Sequence, residues 1–190
     1  ATMLVLFVAG FNLANAQEET VKIYPTYDGR IQTAEYQTMD QAHNATSAAL
    51  IIDSEGRPLI IQSRVGTSLT RDINRTFLTF DTSGLPENAE IIEATASFKP
   101  RQVRDEDDDA QAYLGLYQGN PTSPLALESS DIDKCGDTLT NPTPGAQLVD
   151  ISSLVVDTFF NMQLNDDGIS WINTDGYTSL CLREGHDVEN

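Results

Sequence analysis

The feature that most constrains the fold is the alternation of short β-branched or aromatic runs with turn-forming residues. Residues 75–81 (RTFLTFD) and 113–117 (YLGLY) each have the length of one strand, and a turn sequence, TSGLP, follows the first run at residues 82–86. Several short strands bounded by such turns are typical of a β-sandwich or a barrel. The chain is therefore predicted to be an all-β protein.

Similar runs along the rest of the chain predict the other elements. Residues 119–146, rich in Pro, Gly, Ser, Thr and Asp, are predicted to form one long loop. One short helix is expected after Asp150, whose side chain can cap it. Its apolar face would contain Ile151, Val155, Phe159 and Met162. Further strands are predicted at residues 21–24, 48–53, 58–63, 90–98, 168–172 and 178–183.

The N-terminal segment indicates where the protein works. Residues 3–14 (MLVLFVAGFNLA) form an apolar run too short to span a bilayer, and Ala14-Asn15-Ala16 follows before a polar stretch. This pattern is typical of a signal peptide at residues 1–16, and it predicts a secreted protein with a single domain at residues 17–190. The alternative is an N-terminal strand that packs in the core or in a neighbouring subunit.

The two cysteines fit the same oxidising compartment, where a disulfide persists. A bond between Cys135 and Cys181 would close a loop of 46 residues. In the chain-entropy model such a bond stabilises the fold by about 4 kcal/mol. With only two cysteines and two histidines, a zinc site of the Cys/His type has no support.

The net charge of −18 excludes some classes of partner. Proteins bind nucleic acid largely by neutralising phosphates with Lys and Arg, so nucleic-acid binding is close to excluded and an anionic membrane is disfavoured. Residues 105–190 hold 17 acidic and two basic side chains, a charge of −15. Such a region is typical of adaptation to salt, where screening weakens self-repulsion, or of cation binding.

Two acidic loops are the candidate sites for a structural calcium ion, which takes oxygen ligands in loops. The first is DEDDD at residues 105–109, and the second is NDDG at residues 165–168. Neither matches an EF-hand, and the alternatives are a solvated acidic loop and a simple turn. The candidate metal ligands are Asp105, Asp107, Asp109, Asp166 and Asp167.

Catalytic signatures are missing from the sequence. The two histidines, His43 and His186, lie in no recognisable nucleophile motif, and no phosphate-binding glycine pattern occurs. Pairs of carboxylates are uninformative, because 29 acidic residues would place some pair at the separation for glycoside hydrolysis in almost any fold. The chain is therefore predicted not to be an enzyme.

Exposed aromatic side chains are the candidates for binding sugar, since aromatic faces stack on pyranose rings. Tyr113 and Tyr117 share one face of a predicted strand, whereas the leucines between them favour the core. These tyrosines, together with Tyr177, are the candidate ligand-binding residues. Trp171 is expected in the core.

Two basic side chains complete the candidate ligand-binding set. Arg71 and Arg75 could contact anionic glycans, although each could equally form an ordinary salt bridge.

Three segments carry a resemblance to a known family. Residues 75–98 (RTFLTFDTSGLPENAEIIEATASF) resemble the signature of DNRLRE-domain, disaggregatase-related proteins, in which a strand ending in F-D precedes S-x-L-P and a second strand. Residues 148–154 (LVDISSL) are similar to that family's strand-to-helix step. Residues 166–190 are similar to a subgroup with a G-[LI]-S-W-I-N-x-x-G hairpin before L-R-x-x-x-D.

The resemblance implies a jelly-roll-like antiparallel β-sandwich of the kind found in carbohydrate-binding modules. Members of the family occur on or outside microbial cells, often attached to larger proteins, and some relatives bind polysaccharide. A final strand of the family pattern has no counterpart before Asn190, which implies a truncated chain or a strand supplied by a partner.

The predicted function is a non-catalytic extracellular module that binds polysaccharide or displays a larger protein at the cell surface. The alternative is a structural subunit of an extracellular filament or matrix, with the N-terminal segment as a donor strand. A glycan-active hydrolase is the third hypothesis.

Overall fold

The structure, a computed structural model of the chain, describes residues 3–5, 7–9, 18–53, 62–65, 71–86, 89–103 and 111–189. It confirms an all-β fold with short helices. The strands are β1 (Met3–Val5), β2 (Phe7–Ala9), β3 (Glu18–Thr20), β4 (Pro25–Gln32), β5 (Leu50–Asp53), β6 (Gln62–Val65), β7 (Arg71–Asp81), β8 (Thr95–Phe98), β9 (Tyr113–Gln118), β10 (Val149–Asp150), β11 (Phe160–Gln163) and β12 (Tyr177–Glu184). The helices are α1 (Met39–His43), α2 (Asp166–Ser170) and α3 (Gly185–Glu189), with 3₁₀ turns at Ser129–Asp133 and Ile151–Ser153.

The described strands form antiparallel sheets of seven, three and two strands. The large sheet has the order β10-β9-β12-β7-β4-β5, and β6 also pairs with β7. The small sheet has the order β1-β8-β11, and β2 pairs with β3. The long strand β7 is the centre of the large sheet, since β12, β4 and β6 all pair with it.

One face of the large sheet packs against the small sheet to give an antiparallel β-sandwich. Successive side chains of a strand alternate between its faces, so every second residue of β7, β9 and β12 faces this layer. We call the resulting apolar cluster the first core. It includes Leu78, Phe80, Leu114, Leu116, Leu180 and Leu182 from the large sheet and Ala96, Phe98 and Met162 from the small sheet.

The opposite face of the large sheet is covered by residues 119–146 and by α3. The predicted disulfide between Cys135 and Cys181 is confirmed, and it attaches this covering segment to β12. We call the cluster on this side the second core. Its buried members are Ile31, Phe77, Tyr117, Leu127, Ile132, Cys135, Cys181 and Val188.

The prediction of a strand at residues 168–172 is wrong, because α2 occupies most of that segment. The side chain of Asn165 caps the helix by accepting the N–H of Gly168 at 2.9 Å. Gly168 also permits close packing, since a Cβ at this position would overlap the carbonyl of Gly145. Capping and close approach therefore decide the local structure.

The predicted helix after Asp150 shortens to a single 3₁₀ turn. Asp150 does cap that turn through the N–H of Ser152 at 2.8 Å. The apolar face does not form, since Val155 and Phe159 are exposed. Phe160–Gln163 instead pairs with β8, so sheet hydrogen bonds override the helical period there.

The N-terminal region differs in part from the prediction. The strand expected at residues 21–24 is reduced to an isolated bridge at Ile23, and the neighbouring strand is Glu18–Thr20. Met3–Val5 pairs with β8, while cleavage after Ala16 stays a prediction. The strand expected at residues 58–63 lies mostly outside the described residues, and Gln62–Val65 is its described continuation. Within the described ranges, no helix has the length and apolar character needed to cross a bilayer.

Candidate functional site

An open cleft of about 510 Å³ lies beside the end of β9 and the start of β12, which are neighbours in the large sheet. Gly119, just after β9, donates its N–H to the carbonyl of Ser179 in β12 at 3.0 Å. Gly119 and Ser179 both line the cleft and form its floor. The sheet therefore supplies a fixed base for the two loops that rise on either side.

The first wall of the cleft consists of Gln118, Asn120, Pro121 and Pro124. Asn120 donates its backbone N–H to the carbonyl of Lys134 at 2.9 Å, and Gly136 donates to the carbonyl of Gln118 at 2.8 Å. Cys135, between these two partners, is bonded to Cys181 of β12. The disulfide thus lies directly behind this wall and anchors it to the sheet.

The second wall consists of Trp171, Asn173, Gly176 and Tyr177, which connect α2 to β12. Thr82 is not among the residues that line the cleft, but it holds this turn, since its N–H donates to the carbonyl of Gly176 at 2.8 Å. Asn173 donates its N–H to the hydroxyl of Thr178 at 2.9 Å. The turn is therefore fixed by hydrogen bonds to the backbone and hydroxyl groups of Thr82 and Thr178.

Two aromatic side chains of the second wall reach the cleft. Tyr177 is 37% exposed. Trp171 is half-buried and lies over Gly145, where a Cβ would overlap the indole ring. Within the described residues, the indole N–H of Trp171 donates to no protein acceptor. The cleft therefore offers two aromatic side chains.

The chemistry of the lining is polar but uncharged. The two walls and the floor contain two asparagines, a glutamine, a serine, a tyrosine and a tryptophan, with glycine and proline between them. Amide and hydroxyl groups both donate and accept hydrogen bonds, and aromatic faces provide apolar contact. Such a surface can bind a hydroxyl-rich ring with an apolar face.

The structure brings only one of the predicted ligand-binding tyrosines into the cleft, namely Tyr177. The expectation that Tyr117 is exposed is wrong: it is 1% exposed, and burial raises the pKa of its hydroxyl to about 12. Tyr113 is half-buried against Gly185. Burial, followed by a hydrogen bond to Glu189, raises the pKa of Tyr113. Both side chains lie on the face that residues 119–146 and α3 cover.

The predicted role of Arg75 in contacting glycans is also corrected, because this side chain is completely buried. Its Nη2 donates to Oδ1 of Asp187 at 2.6 Å, and its Nε donates to Oδ2 at 2.8 Å. Arg183, equally buried, donates from Nε to Oδ2 of the same carboxylate at 2.8 Å. We call Arg75, Arg183 and Asp187 the buried charge cluster.

The buried charge cluster also binds backbone carbonyls. Arg183 donates to the carbonyls of Cys135 and Leu139, and Arg75 donates to that of Ile132. Burial of Asp187 opposes its ionisation, but the charge and hydrogen bonds of Arg75, together with Arg183, hold the pKa of this carboxyl well below its usual range. The cluster therefore fastens the covering segment to the sheet.

The remaining predicted site residues lie apart from the cleft. Arg71 begins β7 and is half-buried, with its backbone paired to Tyr36. Asp166 and Asp167 are exposed in the first turn of α2. Asp105, Asp107 and Asp109 fall outside the described residues. In the part of the chain that is described, no group of three or more His, Cys, Asp or Glu side chains is arranged to bind a metal ion.

Sequence reasoning missed most of the cleft. Asn120 and Asn173 were not singled out. Trp171 was expected in the core, and it does pack against the first core while also lining the cleft. A signal was nevertheless present: residues 118–121 (QGNP) and 171–177 (WINTDGY) both combine amide side chains with turn residues, and the second adds two aromatics. Only the pairing of β9 with β12 brings the two segments together.

Comparisons of the chain with protein-family models, curated proteins and solved structures found no match. The resemblance to DNRLRE-domain proteins therefore stays a prediction. Functional inference depends on the geometry of the cleft.

Proposed function

We propose that the protein is a non-catalytic, extracellular β-sandwich module that binds polysaccharide through the cleft beside β9 and β12. The observation that carries this proposal is the combination of Trp171 and Tyr177 with side-chain amides on a preformed base. Carbohydrate rings present apolar C–H faces and many hydroxyl groups. Aromatic faces and bidirectional hydrogen-bonding groups complement both features.

The rigidity of the cleft supports binding without a large entropic cost. Backbone hydrogen bonds hold both walls, and the disulfide lies behind the first wall. Because the polar groups are already positioned, less side-chain and loop freedom is lost when a ligand binds. The disulfide also fits an oxidising, extracellular location.

The composition of the lining favours binding over hydrolysis. Glycoside hydrolases generally place a pair of Asp or Glu side chains on either side of the scissile bond. None of the residues that line the described cleft is Asp, Glu or His. A hydrolase stays a weaker hypothesis, and it would require turnover that one carboxylate substitution abolishes.

The test is affinity electrophoresis of the full chain through gels that contain soluble polysaccharides. We expect retardation by at least one polysaccharide and a loss of affinity of about tenfold in Tyr177→Ala, since removal of a contact worth about 1.4 kcal/mol weakens binding by that factor. Tyr24→Ala is the matched control, because Tyr24 is 58% exposed and lies outside the cleft.

Three results would count against the proposal: no retardation by any polysaccharide, equal affinities of Tyr177→Ala and the parent, or the same loss in Tyr24→Ala. Circular dichroism of each variant checks that the fold is unchanged, so that a loss of affinity reports on the cleft.

A second candidate function is a structural subunit that exchanges its N-terminal strand. The observation that favours it is the antiparallel pairing of β1 with β8, with Leu4 opposite Ala96. The same pairing between two copies would be a strand exchange. If this is the function, the full chain associates in light scattering and a chain that begins at Gln17 does not. A monomeric full chain at all concentrations overturns this candidate.

A further inference from the structure

The cleft is electrically neutral within a strongly acidic protein. The whole chain carries a net charge of −18, yet among the described residues that line the cleft the Tyr177 phenol is the only ionisable group. Neutral lining in such a chain distinguishes the cleft from the acidic surface around it.

Two exposed carboxylates lie beside the second wall. Asp81 is the residue paired with Tyr177 across β7 and β12. Hydrogen bonds from the side chain and backbone of Ser83 lower the pKa of Asp81, so this side chain is ionised at neutral pH. Asp175, also exposed, lies within the turn between Asn173 and Tyr177. A carboxylate on a ligand would therefore meet like charge beside the second wall.

Three basic side chains of the described region are already paired with carboxylates. Lys134 lies behind the first wall, but its Nζ is 3.4 Å from a carboxylate oxygen of Asp133. Arg75 and Arg183 are completely buried and bound to Asp187. Anionic ligands are usually recognised by bidentate arginine or by lysine, and neither lines the cleft.

We propose that the cleft selects uncharged polysaccharides and rejects those that carry uronic acid or sulfate groups. This inference rests on the proposed function and adds the class of ligand. The selectivity would arise because neutral hydrogen-bonding groups line the cleft while carboxylates lie beside it. Specificity of this kind comes from repulsion of the wrong ligand as well as from attraction of the right one.

The first test compares matched polymers in affinity electrophoresis with the full chain. The probes are soluble glucan, mannan and galactan, each used before and after oxidation of C6 to a carboxylate. We expect binding of at least one neutral polymer and a decrease of about tenfold or more in affinity for its oxidised form at low salt. The decrease should become smaller at high salt, because surface charges are screened beyond about 10 Å at 0.1 M ionic strength.

The second test places a cation in the first wall. Asn120 is exposed and its side chain makes no hydrogen bond within the described residues, so Asn120→Lys should fold as the parent does. We expect this variant to gain at least threefold in affinity for the oxidised polymer. Thr158→Lys is the matched control, since Thr158 is exposed and lies outside the cleft, and it should show a smaller gain.

The outcomes separate this inference from the proposed function. Equal or tighter binding of an oxidised polymer by the parent chain overturns neutral selectivity but leaves polysaccharide binding intact. Equal gains in Asn120→Lys and Thr158→Lys overturn the assignment of selectivity to the cleft. If no polymer of either kind binds, the proposed function itself fails and the inference fails with it.

Discussion

The two faces of the large sheet are covered in different ways. On one face, leucines and phenylalanines of β7, β9 and β12 meet the small sheet, and the first core is apolar. On the other face, the covering segment is mostly irregular chain, and the contacts include a disulfide and the buried charge cluster. The same three strands thus face two different environments.

The reason for this difference lies in the backbone of the covering layers. The strands of the small sheet satisfy many of their carbonyl groups through pairing with one another. Irregular chain leaves more carbonyl groups without a partner, and a buried carbonyl without a donor is costly. Arg75 and Arg183 donate to carbonyls at residues 132, 135 and 139. The buried charges on this face therefore satisfy carbonyl groups of the covering segment.

The largest expected effect is that of Asp187→Ala. This change leaves two buried arginines without their carboxylate, and loss of one partner of a buried ion pair costs about 3–5 kcal/mol. Urea denaturation should therefore show a large decrease in the free energy of unfolding. Asp133→Ala is the control, since Asp133 is 39% exposed beside Lys134 and should change stability little. Similar values for the two variants would contradict the role assigned to the cluster.

Removal of the disulfide should act mainly on the loop-covered face. The double variant Cys135→Ser/Cys181→Ser opens a loop of 46 residues, which costs about 4 kcal/mol in the chain-entropy model. Hydrogen exchange should increase first in residues 119–146, with β8 and β11 protected for longer. Polysaccharide retardation should also decrease, because the disulfide lies behind the first wall. Equal loss of protection in residues 119–146 and in the small sheet would contradict the expectation that the disulfide stabilises mainly the loop-covered face.

A substitution in the first core gives the complementary measurement. Leu180 is 1% exposed, and Leu180→Ala should cost about 3 kcal/mol through lost apolar contact and a residual cavity. Since no charge is removed, the loss should be nearly independent of salt concentration in urea denaturation. A strong salt dependence would show that the two faces are not electrostatically distinct.

Acid should weaken the two faces unequally. The folded-state pKa of Asp187 is held well below the usual range, so its stabilisation is present above the unfolded pKa of about 3.9 and is lost as pH falls toward the folded value. The stability difference between the parent and Asp187→Asn should therefore decrease below about pH 4, by up to about 1.4 kcal/mol per pH unit. The corresponding difference for Leu180→Ala should stay constant, and equal slopes would contradict the assignment.

Much of the fold could be predicted because its signals are local. The strand at residues 75–81 and the turn after it follow from β-branched and aromatic residues beside Gly and Pro, and both are present. The disulfide followed from the cysteine count and is confirmed. Residues 168–172 were misassigned because capping by Asn165 and the close approach of Gly145 outweigh strand propensity.

The candidate site was less predictable than the fold. Tyr177 was selected as an exposed aromatic and does line the cleft. Tyr117 was selected by the same reasoning and Arg75 as a cation for anionic glycans, and both are buried. The alternation along a strand correctly places Tyr113 and Tyr117 on one face, but it contains no information on what lies over that face.

The sequence by itself determined the all-β class and the positions of β5, β7, β8, β9 and β12, and its two cysteines indicated the disulfide, because these depend on neighbouring residues and on composition. Only the tertiary structure decided which side chains are accessible. Residues 119–146 fold back over β7, β9 and β12, and this long-range contact buries Arg75 and Tyr117 while leaving Tyr177 at the cleft. Burial is a property of the packed chain, since it depends on residues that are distant in sequence and close in space.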